Sequence, residues 1–213
     1  MAETVETVKT AQIAGDSRNP GDLRNPWAVA RMLLVATTLP DRQVFTEMNR
    51  ALYTTVDYYR MACHLIFRCH RCGTCCTTGD PIRLKPEDAS VIARHLKIPL
   101  NKAIKKLTIP DPDKPGALDF KHILPCKFYD KEAGGCRIYA ARPWSCRIFP
   151  FLGVYGSEDR VVVNESCPGS VETMKILTEV LEEARSSEMD HPPYDPKEVR
   201  RAKEFLRQAL DLV

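Results

Sequence analysis

Cys69-His70-Arg71-Cys72-Gly73-Thr74-Cys75-Cys76 decides how this chain is read. Four cysteines fall within eight residues, and the first three succeed one another at C-x2-C steps. Such a step bends the backbone so that two sulfurs converge on one centre, and Gly73 can adopt the positive backbone angle such loops require. Three successive steps also match the start of the ferredoxin run, in which three thiolates wrap one iron–sulfur cluster. Four more cysteines follow: Cys126, Cys136 and Cys146 at even spacing, then Cys167 in Cys167-Pro168. Cys-Pro closes the ferredoxin run, although here a long segment intervenes. Eight thiolates suffice for two four-ligand sites. Adjacent Cys75 and Cys76 are expected to point apart. Cys69, Cys72, Cys75 and Cys167 are therefore assigned to one site, and Cys76, Cys126, Cys136 and Cys146 to the other.

The rest of the chain is ordinary: 213 residues, 44% hydrophobic and 28% charged, enough for one sizeable core and a small second lobe. A net charge of +3 gives no basis for nucleic-acid binding, which concentrates far more basic charge on one face. The acidic start Met1-Ala2-Glu3-Thr4-Val5-Glu6 does not read as a signal peptide. The most apolar stretch, Trp27 to Leu39, contains Arg31 and falls short of the roughly 20 residues a membrane span needs. A soluble, cytoplasmic protein with no membrane contact is expected. In a reducing compartment, nine cysteines point to metal or redox chemistry rather than disulfides, and the odd count agrees.

Along the chain, residues 1–24 read as a disordered or partner-ordered arm and 25–66 as N-terminal helices. Residues 67–168 read as a cysteine-cluster core and 169–213 as C-terminal helices. Asn25-Pro26 opens the first helix. Asp41 caps a second, with Phe45, Met48, Leu52, Val56 and Tyr59 on one face. Residues 67–78 lack a period and form a ligand loop. Ile82-Arg83-Leu84 reads as a strand, followed by helices from Pro86 and around Ala103 to Leu107. Residues 117–165 read as short strands, with hairpin turns at Gly134-Gly135 and Gly156-Ser157 and the clearest strand at Val161-Val162-Val163. Ser170 caps a helix carrying Met174, Leu177, Leu181 and Ala184. Asp195-Pro196-Lys197-Glu198 is a capping box for the last helix. The expected fold class is α+β: a small irregular cysteine-rich core with β hairpins, flanked by helices.

Between Cys63 and Pro168 there are 17 Lys and Arg against 11 Asp and Glu. Arg68, Arg71, Arg137, Arg142 and Arg147 could offset thiolate charge. Tyr139, Trp144, Phe149 and Phe151 are expected to pack around the site and keep water away. Cys63 reads as a buried free thiol and His70 as an exposed loop histidine. His64, His95, His122 and His191 show no ligand spacing. No phosphate loop, G-x-S-x-G, H-E-x-x-H or paired-acid signature occurs, so catalytic residues stay unassigned and enzymatic activity stays open.

The run Cys69–Cys76, then Cys126, then Cys136-Arg137-Ile138-Tyr139 and Arg142-Pro143-Trp144-Ser145-Cys146-Arg147-Ile148-Phe149-Pro150, resembles the CxxCxxCC cysteine-cluster family (YkgJ-type proteins), over about residues 67–168. The resemblance implies zinc or iron chelation by these cysteines. A related cluster in flagellin lysine N-methylases implies a cluster-dependent enzyme as one alternative. The spacing itself favours one or two [4Fe-4S] iron–sulfur clusters, serving electron transfer or the maturation of another enzyme. A zinc-stapled interaction module is the other alternative. A protein partner, redox or maturation target, is expected to dock on the arm and the terminal helices, its acidic surface meeting Arg137, Arg142 and Arg147.

Overall fold

The structure, a computed structural model, describes residues 22–39, 53–78, 82–121, 124–153, 160–189 and 191–213. Four helices at the two ends of the chain build the larger core. Helix α1 (Pro26–Thr37) begins as its sequence dictates: the Asn25 side chain accepts from the backbone N–H groups of Trp27 and Ala28, and Pro26 sits where no N–H is needed. Helix α2 (Thr55–Ile66) opens on a reciprocal capping box between Thr54 and Asp57. The start expected at Asp41, with Phe45, Met48 and Leu52, lies outside the described residues. Tyr53 and Thr54 are not helical, so residues 55–66 form a helix of their own, begun by Thr54. Its buried face is Tyr58, Met61, Ala62 and Leu65, at helical three- and four-residue steps, while Val56 and Tyr59 are only half-buried.

At the other end come α7 (Pro168–Ser187) and α8 (Pro196–Arg207), the latter opened by the anticipated Asp195–Glu198 capping box. Ser170 does not cap α7. Cys167 holds that position with Pro168 next to it, and the Ser170 hydroxyl accepts from the Asn164 N–H instead. Helix α1 packs on α2, α7 and α8, burying Leu33, Tyr58, Met61, Leu65, Leu177 and Leu206. The two flanking segments therefore share one core. Cys63 is sealed inside it, its thiol 3.6 Å from the Met174 sulfur.

Between the two halves of this bundle the chain makes a smaller lobe. Its strands are β1 (Arg83–Leu84), β2 (Thr108–Pro110) and β3 (Leu118–Phe120), antiparallel in the order β1-β3-β2, and the hairpin β4 (Tyr129–Asp130) and β5 (Gly135–Cys136). Helices α4 (Asp88–His95) and α5 (Leu100–Leu107) cover the sheet. Ile92, Leu107, Phe120, Phe128 and Ile138 fill this second core. The class is α+β, as expected.

The lobe departs from a simple run of strands. The Gly134 hairpin forms, but residues 139–141 make a 3-10 turn and Trp144–Ile148 a short helix, α6. Val161–Val163 is irregular: a β-branched run becomes a strand only when a neighbour supplies the ladder, and none is found among the described residues. The Gly156-Ser157 turn lies outside them. No described helix is long and apolar enough to cross a membrane.

Leu33 is fully buried where α1 meets the other helices. Leu33→Ala should cost about 3 kcal/mol by leaving a cavity, read as a lower urea midpoint with an unchanged denaturant slope.

Candidate metal centre

All eight cysteines singled out from the sequence line one cavity of about 380 Å³ at the seam between bundle and lobe. Three close approaches bring them there. First, the backbone of Gly169 lies against the Arg68 carbonyl oxygen so tightly that a Cβ would collide with it. This seats the loop bearing Cys69 and Cys72 on the start of α7, beside Cys167, and the His70 Nε2 reaches Glu172 Oε2 of that helix at 2.6 Å. Second, Gly73, at φ +83°, faces the ring of Tyr129, where any side chain would overlap it, and the Tyr129 hydroxyl donates to the Cys72 carbonyl at 3.4 Å. Third, the Cys126 N–H donates to the Cys76 carbonyl at 2.7 Å, while Cys136 pairs with Tyr129 across the hairpin.

The loop from 67 to 78 is not wholly irregular. After Gly73 the chain makes one helical turn, α3 (Thr74–Thr77), which carries Cys75 and Cys76. The Cys76 thiol hydrogen-bonds with those of both Cys126 and Cys75, and Cys75 stands near enough to Cys136 and Cys146 to act on their ionisation. Cys167 instead feels Cys72 and Cys69. All eight thiols border this one cavity, and the ionisation of Cys75 is tied to Cys76 and Cys126, that of Cys167 to Cys72 and Cys69. Among the described residues, no three His, Cys, Asp or Glu side chains are gathered tightly enough to grip a single ion.

The cavity wall is soft and apolar. Ile82, Phe120, Phe128, Ile138 and Phe149 line it, and no Asp or Glu does so among the described residues. Burial pushes the Cys146 and Cys63 thiols up to about 12, and raises Cys136 and Cys167 as well. Cys76 is also raised, by its hydrogen bonds to Cys126 and Cys75. Cys75 goes the other way, down to about 7, because Cys76 hydrogen-bonds to its thiolate and the Arg142 charge favours it.

Of the five arginines considered, Arg71 and Arg142 line the cavity. Both stack on Tyr139, at 4.6 and 3.7 Å from the ring centroid. The others are engaged elsewhere: Arg68 with backbone carbonyls of residues 65 and 67, Arg137 with the Lys127 carbonyl, and Arg147 with Asp88 and the Arg142 carbonyl. Tyr139 and Phe149 shield the site as anticipated. Trp144 instead lies under the Lys85 amine, and Phe151 belongs to the bundle core against Phe67. His70 is paired with Glu172 and borders the cavity. His64, on α2, is held neutral, pushed down to about 4 by burial and then by Arg142 and Arg24.

Asp88 escaped the sequence reading as anything beyond a helix start. It is 1% exposed, and its carboxylate accepts from the N–H groups of Lys85 and Trp144 and meets Arg147 at 3.6 Å. The Ser145 hydroxyl donates to the Arg83 carbonyl at 2.7 Å. Together these bonds pin α6, and with it Cys146, onto β1 and α4. No local signal links Asp88 to Trp144, because the partners are 56 residues apart.

In metal-free, reduced protein, iodoacetamide should label Cys75 as pH rises through about 7, since only the thiolate reacts. Cys146 and Cys63 should remain unlabelled at pH 8, as peptide mass spectrometry would show. Asp88→Ala should cost about 3 kcal/mol by stranding Arg147 and the α6 N-terminus, seen in urea unfolding, and should speed the alkylation of Cys146.

Two comparisons bear on this arrangement. A segment of 88 residues is 33% identical to an uncharacterized protein of Methanocaldococcus jannaschii, covering 41% of this chain and 46% of that protein. The chain thus spans less than half the length of that relative. No solved structure gives a significant match. Residues 68–168, which supply all eight cavity cysteines, match the model of the CxxCxxCC family, described as a "Putative zinc- or iron-chelating domain".

Proposed function

We propose that this protein binds iron–sulfur, one or two [4Fe-4S] clusters, through Cys69, Cys72, Cys75, Cys76, Cys126, Cys136, Cys146 and Cys167. In this reading it serves electron transfer or the maturation of another enzyme in the reducing cytoplasm. The observation that carries the reading is the lining of the cavity: eight thiols, no carboxylate among the described residues, and an apolar wall. Thiolates select soft metals, while hard cations take oxygen ligands. A single zinc ion draws four sulfurs to about 2.3 Å from one point. The thiols here are spread around a volume of about 380 Å³ without a tight triad, which favours a polynuclear group.

Such a group would supply one-electron transfer, at a potential set by charge, sulfur hydrogen bonds and solvent access. This chain provides each of those controls. The Arg71 N–H donates to the Cys69 sulfur at 3.4 Å, and the Thr74 hydroxyl lies 3.4 Å from the Cys72 sulfur. Arg71 and Arg142 offset thiolate charge, while Phe120, Phe128 and Phe149 keep water from one side. Eight thiols are enough for one or two four-thiolate centres.

Protein purified without oxygen should be brown and contain iron with acid-labile sulfide. Cys72→Ser and Cys146→Ser should each lower the iron content, whereas Cys63→Ser should leave it unchanged. Colourless protein with stoichiometric zinc from iron-replete cells would replace this reading with a zinc-stapled module.

A further inference from the structure

A cluster of positive charge gathers around helix α5 and beside the rings of Phe120 and Phe128. Helix α5 presents Lys102, Lys105 and Lys106 on one exposed face, at three- and four-residue steps. The segment from Lys97 to Ile109 contains no acid. Two further lysines fold back onto the end of the same helix: Lys121 donates to the Lys105 carbonyl at 2.8 Å and Lys127 to the Lys106 carbonyl at 3.2 Å. Arg137 extends the group by donating to the Lys127 carbonyl at 2.7 Å.

None of these six cations pairs with a carboxylate among the described residues. Cations at a helix C-terminus are favourable, which explains Lys121 and Lys127. It does not explain three more lysines and an arginine without a counter-charge.

Apolar side chains stand beside these charges. Ile109 and Leu124 are among the exposed large hydrophobic residues. Ile109 lies just past Leu107, whose carbonyl accepts from the Lys121 N–H, and Leu124 falls between Lys121 and Lys127. Apolar contacts bordered by fixed charge are the composition of a protein-docking surface.

The patch also has a fixed relation to the cysteines. The Lys127 amine stands 5.7 Å from the Phe120 ring and 5.6 Å from the Phe128 ring, and both of these residues also line the thiol cavity. The same two residues therefore border the patch and the cavity.

We propose that this surface, formed by Lys102, Lys105, Lys106, Lys121, Lys127 and Arg137 around Ile109 and Leu124, docks an acidic protein that exchanges electrons with the centre bordered by Phe120 and Phe128. The electron-exchange part rests on the iron–sulfur reading, whereas the docking part does not. Of the three arginines expected to meet an acidic partner, Arg142 is committed to Tyr139 and Arg147 to Asp88. Only Arg137 belongs to this surface. A protein fits better than a nucleic acid because the exposed members between the cations are aliphatic, offering no ring on which a base could stack.

The test uses full-length protein purified without oxygen and a plant-type ferredoxin as an acidic probe, with cytochrome c as a basic probe of comparable role. Binding is measured by calorimetry at low and high salt, independently of metal content, and iron and sulfide are assayed on the same samples. The expected result is binding of ferredoxin and not of cytochrome c, weakened about tenfold as salt shortens the screening length. K105E/K106E should weaken it about tenfold again, and the milder K105Q/K106Q less, with the helical circular dichroism of both retained. Equal binding of the two probes, no ferredoxin binding, or a charge-reversed variant that binds as well as the parent would each overturn the docking surface. So would a preference for a 20-base-pair duplex over ferredoxin that K105E/K106E abolishes. Ferredoxin binding by protein that holds zinc instead of iron would keep the surface and remove only the electron-exchange role.

Discussion

The structure turns on one close approach: the backbone of Gly169, in the first turn of α7, against the carbonyl of Arg68. A side chain at position 169 would force the two apart. Because they touch, Cys167 arrives beside Cys69 and Cys72 although nearly a hundred residues separate them in the chain. The helical bundle is what makes the approach possible. Helices α2 and α7 share a core of Met61, Leu65, Leu177 and their neighbours, so both ends of the cysteine lobe are anchored on one rigid body. The lobe's strands are only two or three residues long, and it is held at both ends by the bundle.

Burying thiols creates an electrostatic problem that the lobe answers locally. An apolar wall raises the proton affinity of Cys136, Cys146 and Cys167. Releasing those protons to a metal is costly unless positive charge is near. Arg71 and Arg142 provide it, both stacked on Tyr139, and stacking on a ring holds each guanidinium in place without a carboxylate. The carboxylates are kept out of the cavity. Asp88 is spent on the α6 N-terminus and Arg147, and Glu172 on His70. The result is a site with soft ligands and nearby cations, and no carboxylate among the described lining residues.

How much of this was legible along the chain depends on the range of the interaction concerned. Signals confined to one turn were readable: the Asn25 cap with Pro26, the Asp195–Glu198 box and the Gly134 hairpin. The eight cavity cysteines could be named because C-x2-C steps and thiol chemistry are local properties. Where neighbours decide, the reading failed. Val161–Val163 has β-branched residues but no partner strand in the described structure, and the end of the segment read as strands curls into α6 because Asp88, from a distant helix, satisfies its first N–H.

What the sequence determined by itself is therefore which cysteines line the cavity, the α+β class and the helix starts at Asn25 and Asp195, since each follows from residue type and short spacing. Tertiary structure decided which thiols stand together. Cys126 reaches Cys76 through a backbone hydrogen bond, and Cys167 reaches the Cys69 loop where Gly169 meets the Arg68 carbonyl. It also decided which cations face the thiols and which face solvent. Arg142 and Arg147 are nearly adjacent in sequence, yet the first stacks at the cavity and the second turns to Asp88. Charges and sulfurs act through space, and only the packing of the lobe on the bundle sets those distances.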